Sequence, residues 1–323
     1  MADATASSNA DQVLISVNPH AGSRSSNYLS DRLVDLLQAR RLVPEVSSDL
    51  DHIAQRANQW HAAGRLKAIV GIGGDGTAAE LVNRTNPGVP ITLLAAGTAN
   101  LISRQFRLSS LPEQVAATVA EGHAIRLDAG RASGRLFLVM VSCGLDAEVV
   151  RRVHEHRRNN PAGGHISYWS YVKPIADSLR TYRYPEMQIH WQEPLEGVSS
   201  PTPSPLRARW VFAFNIPRYG WGLPLAPAAD ATDGLIDVCT FRRGSLWQGF
   251  RYLAAAQMGC HRRLSDCVCC RARRLRITAD EDVPYQLDGD LGGMLPVEIA
   301  VLPGRVTLIV PTESPSPSGR GQG

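Results

Sequence analysis

KAIVGIGGDGT, Lys67 to Thr77, is the stretch that decides how the first half of this 323-residue chain folds. An apolar run closes on glycines and one carboxylate, and the helix-compatible AAELVNR follows. Strand, bare turn and helix in that order are the unit from which parallel sheets are built. Glycines at the mouth of a strand suit a ligand that must approach the main chain. Asp75 would repel a phosphate unless a cation lay between them, so the turn points to an anion accompanied by a metal.

The same pattern repeats on either side. Val13–Val17 (VLISV) reads as a short buried strand closed by the polar NPHAGSRSS. Helices fit Leu29–Arg40 and His52–Ala63, the second with Ile53, Ala57 and Trp60 as its apolar stripe and Gly64 as its stop. The strand Ala68–Ile72, a helix over Ala79–Arg84, the strand within PITLLAAGTAN and a helix over Pro112–Ala120 complete an α/β domain with a parallel sheet. Ligands of such sheets bind at the carboxyl ends of the strands. Three polar, glycine-bearing turns fall there: Asn18–Gly22, Gly73–Thr77 and Gly97–Asn100.

Beyond that helix the texture changes. AIRLDAGRASGRLFLVMVSCG predicts a hairpin turning at Ser133–Gly134, with strands at Met187–Trp191, Trp210–Asn215, Ile236–Phe241, Leu275–Ala279, Val297–Val301 and Val306–Val310. Helices at Ser167–Thr181 and Leu246–Met258 interrupt them. This half reads as a mainly antiparallel β-sandwich. The expected organisation is a disordered N-terminus over 1–10, an α/β domain over 11–124, and a β-sandwich domain over 125–311 whose last strand can return to the first domain. A disordered tail over 312–323 and a Pro/Ser loop at Glu193–Pro205 complete it.

Hydrophobic residues make up 44% and charged residues 20% of the chain, an ordinary globular balance. A formal charge of +4 is too small to indicate nucleic acid, although it suits transient contact with an anionic surface. MADATASSNA lacks a signal-peptide apolar region, and runs such as LFLVMVSCG fall far short of a membrane span. The expectation is a cytoplasmic protein, at most peripheral to the inner face of the membrane, with a homodimer allowed for. Cys260, Cys267, Cys269 and Cys270 cluster beside His261, but their spacing matches no closed zinc site with paired C-x-x-C halves. Reduced thiols filling a core are the expected reading.

GIGGDG from Gly71 satisfies G-x-G-x-x-G, yet the region about 20 residues on lacks the acid that a dinucleotide fold places on the ribose. No stretch ends in Gly-Lys-Ser/Thr, which excludes a Walker A loop. A nucleoside triphosphate with magnesium fits better. The N–H groups of Gly73, Gly74 and Gly76 can approach phosphate oxygens, Thr77 adds a hydroxyl, and Asp75 can hold the cation directly or through water.

Five motifs then stand in a fixed order: NPHAG at Asn18–Gly22, GGDGT at Gly73–Thr77, GTAN at Gly97–Asn100, PLAPAADATDGLIDV at Pro224–Val238 and QLDGD at Gln286–Asp290. In this the chain resembles the diacylglycerol kinase catalytic-domain family over roughly residues 12–311, and looks like one of its soluble bacterial lipid kinases. The resemblance implies an α/β nucleotide-binding domain followed by a β-sandwich domain, similar to NAD kinase in plan, with the active site in the cleft between them. It implies ATP and Mg2+ as cofactors and a hydroxyl of diacylglycerol or a related lipid as acceptor. ATP contacts are implied at Asn18, Pro19, His20, Ala21 and Gly22, at Gly73, Gly74, Asp75, Gly76 and Thr77, and at Thr98, with Ser47 a weaker match. A structural magnesium is implied at Asp233 and, through main-chain oxygens, at Asp230 and Leu235. The family's Asp-Gly-Glu, whose carboxylates act as catalytic base and its support, stands here as Asp288-Gly289-Asp290. The chain departs from the family at Ala79, Leu101 and Asp290; the last side chain is about 1.5 Å shorter than glutamate.

Attack of a lipid hydroxyl on the γ-phosphorus is the implied reaction, with Asp290, Asp288 and Asp75 as catalytic residues and with positioning and electrostatics supplying most of the rate. If the chain is extended at 288–290, the two carboxylates share a face and titrate as a pair. Arg151, Arg152, Arg157 and Arg158 suit weak, salt-sensitive attachment to an anionic leaflet or contact with phosphate, whereas Tyr168, Trp169 and Tyr171, which follow them, are better read as packing on the sheet. An NAD kinase and a catalytically silent nucleotide- or lipid-binding protein are the alternatives.

Overall fold

A computed structural model describes residues 10–17, 23–159, 181–192, 205–220 and 223–312. The chain forms two compact units: Met1–Thr77 with Arg84–Arg126 and Val306–Gly323, and Ala78–Asn83 with Leu127–Arg305. The turn Asn18–Gly22, the aromatics Tyr168, Trp169 and Tyr171, the loop after Gln192 and the tail after Thr312 lie outside the described residues, as do the side chains of Arg157 and Arg158.

In the first unit β1 (Gln12–Val17), β2 (Val43–Ser47), β3 (Leu66–Gly73) and β4 (Pro90–Ala95) run parallel in the order β2-β1-β3-β4. Helices α1 (Ser23–Gln38) and α2 (Leu50–Ala62) connect the first three strands, α3 (Asp75–Arg84), whose Ala78–Asn83 belong to the second unit, leads from β3 to β4, and α4 (Leu101–Gln105) and α5 (Pro112–Glu121) follow β4. Val13, Ile15, Val70 and Ile72 bury against Leu33 and Leu37 of α1 and Val115 and Val119 of α5. Leu14 and Ile69 alternate to the opposite face, where α2 packs with Ile53 and Ala57. Burial on both faces explains why these strands read as unbroken apolar runs. Helix α1 begins at Ser23 rather than at the expected Leu29, and α3 at Asp75 rather than Ala79. Apolar spacing marks the buried stripe of a helix, and the polar first turns carry none of it.

The second unit holds β5 (His123–Ala132), β6 (Arg135–Phe137), β7 (Met140–Cys143), α6 (Leu145–Asn159), β8 (Met187–Trp191), β9 (Leu206–Ala208), β10 (Trp210–Phe214) and β11 (Ile236–Phe241). It continues with α7 (Leu246–Gln257), a 3-10 turn at His261–Arg263, β12 (Cys267–Ala272), β13 (Arg274–Ala279), β14 (Pro284–Leu287), β15 (Asp290–Met294) and β16 (Val297–Val310). One antiparallel sheet runs β12-β11-β10-β7-β14-β15; β16, β13, β8 and β9 form the second, antiparallel layer. Alternate residues of both layers, among them Val211, Ala213, Val238, Leu275, Ile277 and Ile299, fill the core between them.

Two sequence expectations are corrected. Val297–Val301 and Val306–Val310 are one strand: β16 pairs with β13 through Val297–Ala300 and, beyond Gly304 at φ 59°, lies parallel to β4 through Thr307 and Leu308. A helix, α6, stands at Leu145–Asn159, where the sequence expectation has none, and carries Arg151 and Arg152. Glu148 on α6 takes Arg151 at 2.8 Å and Arg152 at 2.6 Å, the i,i+3 and i,i+4 spacings that support a helix.

Candidate active site

The turn after β3 is bare because another turn lies against it. A Cβ on Gly97 would stand 2.6 Å from the Cα of Gly74, so the two backbones touch where only glycines fit. Thr77 folds back over Gly73, where a Cβ would meet its Oγ1 at 2.1 Å, and is buried. Asn100, left-handed at φ 50°, closes its own loop by accepting from Gly97 N–H at 3.0 Å and donating to Gly97 C=O at 2.8 Å.

Asp75 joins the two turns. Its Oδ2 accepts from Leu101 N–H and its Oδ1 from Ile102 N–H, each at 2.9 Å, while it opens α3 itself. The start of α4 is therefore satisfied by the residue that begins α3. The first-turn N–H groups of α3 have no intrahelical partner, and Gly76 and Thr98 are exposed beside them. A helix N-terminus with small residues around it offers N–H donors to an anion.

Asp75 does not stand free in a ligand loop, since each carboxylate oxygen already holds a backbone N–H. Replacement of Asp75 by alanine is expected to cost about 2–4 kcal/mol in the first unit, because two charge-assisted bonds are lost. Thermal melting together with amide exchange at Leu101 and Ile102 measures it; unchanged exchange there would mean that Asp75 pins nothing. Ser47, at the end of β2, is half-buried and accepts from Asp49 N–H at 3.0 Å, on the way to the N-cap of α2.

In the second unit the Asp288-Gly289-Asp290 turn is rigid, for a reason the sequence did not disclose. Between β6 and β7 the chain presents three consecutive N–H groups to one carboxylate. Leu138 donates to Asp288 Oδ2 at 2.7 Å, and Val139 and Met140 donate to Oδ1 at 2.9 and 2.8 Å. Asp288 is left-handed at φ 51°, so the chain is not extended and the carboxylates do not share a face as an acid pair. Asp290 is half-exposed instead, 3.7 Å from Arg135 and 3.8 Å from His154. Asp288 is an anchor, and Asp290 is the carboxylate that presents itself.

A buried polar network lies behind the turn. Gln286 accepts from Gly289 N–H at 2.7 Å and donates to Ser142 at 2.8 Å and to Asp146 at 3.2 Å. Ser142 and Tyr219 also donate to Asp146. Burial raises the Asp146 carboxyl above its ordinary range, against those three bonds. The available signal was the fully buried Ser142 and Gln286, polar residues inside otherwise apolar strands.

The Asp230–Leu235 loop is held by Asp128, which sequence reasoning also missed. Its buried carboxylate accepts from Gly234 and Gly304 N–H, both at 2.7 Å and both from glycines at positive φ. Asp230 accepts from Thr232, and Asp233 accepts from Leu235 N–H at 3.0 Å with Arg271 3.7 Å away. Burial, helped by Asp230 and Asp128, raises the Asp233 carboxyl above its usual range, while the Leu235 N–H and Arg271 oppose it. Crowded carboxylates with main-chain oxygens form an all-oxygen donor set, and these residues fit a hard cation such as magnesium.

Comparison with known proteins follows these two units. Residues 12–132 match the diacylglycerol kinase catalytic domain, and residues 139–310 match the YegS C-terminal NAD kinase beta sandwich-like domain. A diacylglycerol kinase of Bacillus subtilis (strain 168) is 25% identical over 276 residues, covering 83% of this chain and 84% of its own. Another, from Mycobacterium tuberculosis (strain H37Rv), is 24% identical over 302 residues, covering 91% and 93%. The crystal structure of a diacylglycerol kinase from Bacillus anthracis str. Sterne superposes with a TM-score of 0.62 at 18% identity, covering 93% of this chain and 97% of that one. The last likeness is one of fold.

Proposed function

Because this chain belongs to the diacylglycerol kinase catalytic-domain family, we propose that it transfers the γ-phosphate of ATP to a hydroxyl of diacylglycerol or a related lipid. The observation that carries this reading is the Gly74–Gly97 contact pinned by Asp75, which holds the N-termini of α3 and α4 together as an anion cradle. N–H groups at Gly74, Gly76 and Thr77, with Thr98, would bind the phosphates. Asn18–Gly22, next in sequence after β1, and Ser47, at the end of β2, would complete the nucleotide contacts. Magnesium, when bound, neutralises charge on the transferring group. Asp75 keeps lone pairs beyond its two N–H bonds and suits it through water, while Asp233 and the main-chain oxygens of Asp230 and Leu235 would hold the structural ion. Asp290 would accept the proton of the lipid hydroxyl, fixed in place by Asp288.

Transfer of γ-labelled phosphate, with diacylglycerol in mixed micelles and NAD offered in parallel, tests the reading. Label in the lipid is expected. Label in NAD alone would make the chain an NAD kinase, and label in neither a silent binder.

A lipid acceptor would require contact with a bilayer. Arg151 and Arg152 are committed to Glu148 and Glu155, and Arg152 also to Thr181. Among the described residues α7 offers another surface. Trp247 is 82% exposed and Phe250 54%, their rings edge to face, with Leu246 and Leu253 exposed on the same helix and Met258 exposed just past its end. The exposed Arg242 and Arg243 precede it in sequence, Arg251 lies on it and Arg263 follows it, with Arg243 and Arg251 3.8 and 3.6 Å from Asp266. An amphipathic helix with basic neighbours fits an anionic leaflet. The double variant Trp247→Ser, Phe250→Ser is expected to lower binding to phosphatidylglycerol-containing vesicles at least about tenfold, since each ring is worth about 1.5–3 kcal/mol when buried. Unchanged sedimentation with vesicles, or a dimer that the variant abolishes, would assign the patch elsewhere.

No helix among the described residues is long and apolar enough to cross a membrane.

A further inference from the structure

The cysteines of the second unit divide by face, and the division does not match a core filled with thiols. Cys143 and Cys270 point into the sandwich and pack there. Cys267 and Cys269, two apart on β12, point to the opposite side, and Cys239 on β11 stands directly across from Cys269. Cys267 and Cys269 are only half-buried. The three sulfurs lie 3.5, 3.7 and 4.0 Å apart. A tetrahedral zinc ion with Zn–S bonds of 2.3 Å sets its sulfurs about 3.8 Å apart, so the triangle is already near the edge lengths of a metal site.

His261 supplies the second observation. It is fully buried, and its Nε2 lies 3.0 Å from the carbonyl oxygen of Leu225. A carbonyl only accepts, so Nε2 carries the proton and Nδ1 bears the lone pair. That Nδ1 has no hydrogen-bond partner, an expensive state for a buried acceptor. One ligand atom from each of Cys239, Cys269 and His261 lies within 4.8 Å of the others. A histidine oriented through its far nitrogen by a carbonyl is the usual second partner of a metal ligand. A cavity of about 90 Å³ lies against Cys239, Cys269 and Arg262.

We propose that Cys239, Cys267, Cys269 and His261 bind a thiophilic metal ion, with zinc the best match to the donor set. A Cys239–Cys269 disulfide is the rival chemistry. Directly paired residues on antiparallel strands hold their Cβ atoms about 4.5–5.5 Å apart, wider than the mean of about 3.8 Å that a disulfide takes. The metal ties edge strand β12 to the His261 turn and, through Leu225, to the segment that leads into the Asp230–Leu235 loop. Each thiol ligand gives up its proton on binding, so affinity falls in acid.

The test uses the full chain, reduced and stripped with a chelator, with Co2+ as probe. Thiolate-to-cobalt charge-transfer absorption is expected to saturate at one equivalent and to vanish when zinc is added; the hard-cation loop contributes no such band. Competition with a chromogenic chelator should show zinc affinity lowered at least 100-fold in Cys269→Ser and in His261→Ala, and unchanged in Cys260→Ser, each variant checked by melting. The half-buried Cys269 keeps the test open if His261→Ala fails to fold. Absence of the thiolate band, wild-type affinity in Cys269→Ser, or recovery of a Cys239–Cys269 disulfide from alkylator-quenched protein would each overturn the proposal.

Discussion

Asp290→Asn is expected to slow phosphoryl transfer at least about 100-fold, the usual size of a general-base contribution, with little change in KM for ATP. The melting temperature should stay nearly unchanged, because the carboxylate is half-exposed, its ion pair with Arg135 is long and solvated, and His154 stands no closer than 3.8 Å. Asp290→Glu is the informative companion: it restores the family's longer side chain and should retain or exceed wild-type turnover. Single-turnover transfer from labelled ATP, with lipid in excess, measures both. Full turnover in Asp290→Asn would remove the proton acceptor from the proposed reaction and leave the turn a structural one.

Asp288 variants should fail for a different reason. Asp288→Ala strands the N–H groups of Leu138, Val139 and Met140, and at about 1–2 kcal/mol for each the second unit loses about 3–6 kcal/mol. Asparagine is no rescue, because both oxygens of Asp288 accept and an amide nitrogen at either place faces a donor. Both variants are expected to lose melting temperature and turnover together, whereas Asp290→Asn loses turnover alone. Calorimetry beside the transfer assay separates the two roles. An Asp288→Asn protein that melts like wild type but cannot transfer phosphate would return the base to position 288.

The expectation of one acid pair and the finding of an anchor beside a presented carboxylate differ through a single dihedral. Two residues apart in an extended strand would have shared a face, but φ 51° at Asp288 turns its carboxylate back under the chain. The partners that hold it there, Leu138 to Met140, are remote in sequence and act through backbone N–H groups, which no side-chain pattern encodes. Asp75 repeats the lesson in the first unit. Its place in GGDGT was plain, but its bonds go to the N–H groups of Leu101 and Ile102, beyond the end of the neighbouring strand β4.

Local chemistry was enough for the parallel sheet, the sandwich and the turns after β3 and β4, because burial on two faces or one writes itself into the period of apolar residues. Ordered glycine and aspartate motifs were enough for the family. Position in space was decided only by the fold. Gly74 and Gly97 needed each other's backbone to explain their missing side chains, and Asp128 needed two distant loops to bind. The cysteines show the limit most clearly: Cys239 lies far from the CVCC run in sequence, and only the pairing of β11 with β12 brings its sulfur to Cys267 and Cys269 above His261. Sequence spacing reports neighbours along one strand, whereas a metal or anion site is made by neighbours across strands, and hydrogen-bonded register alone sets those.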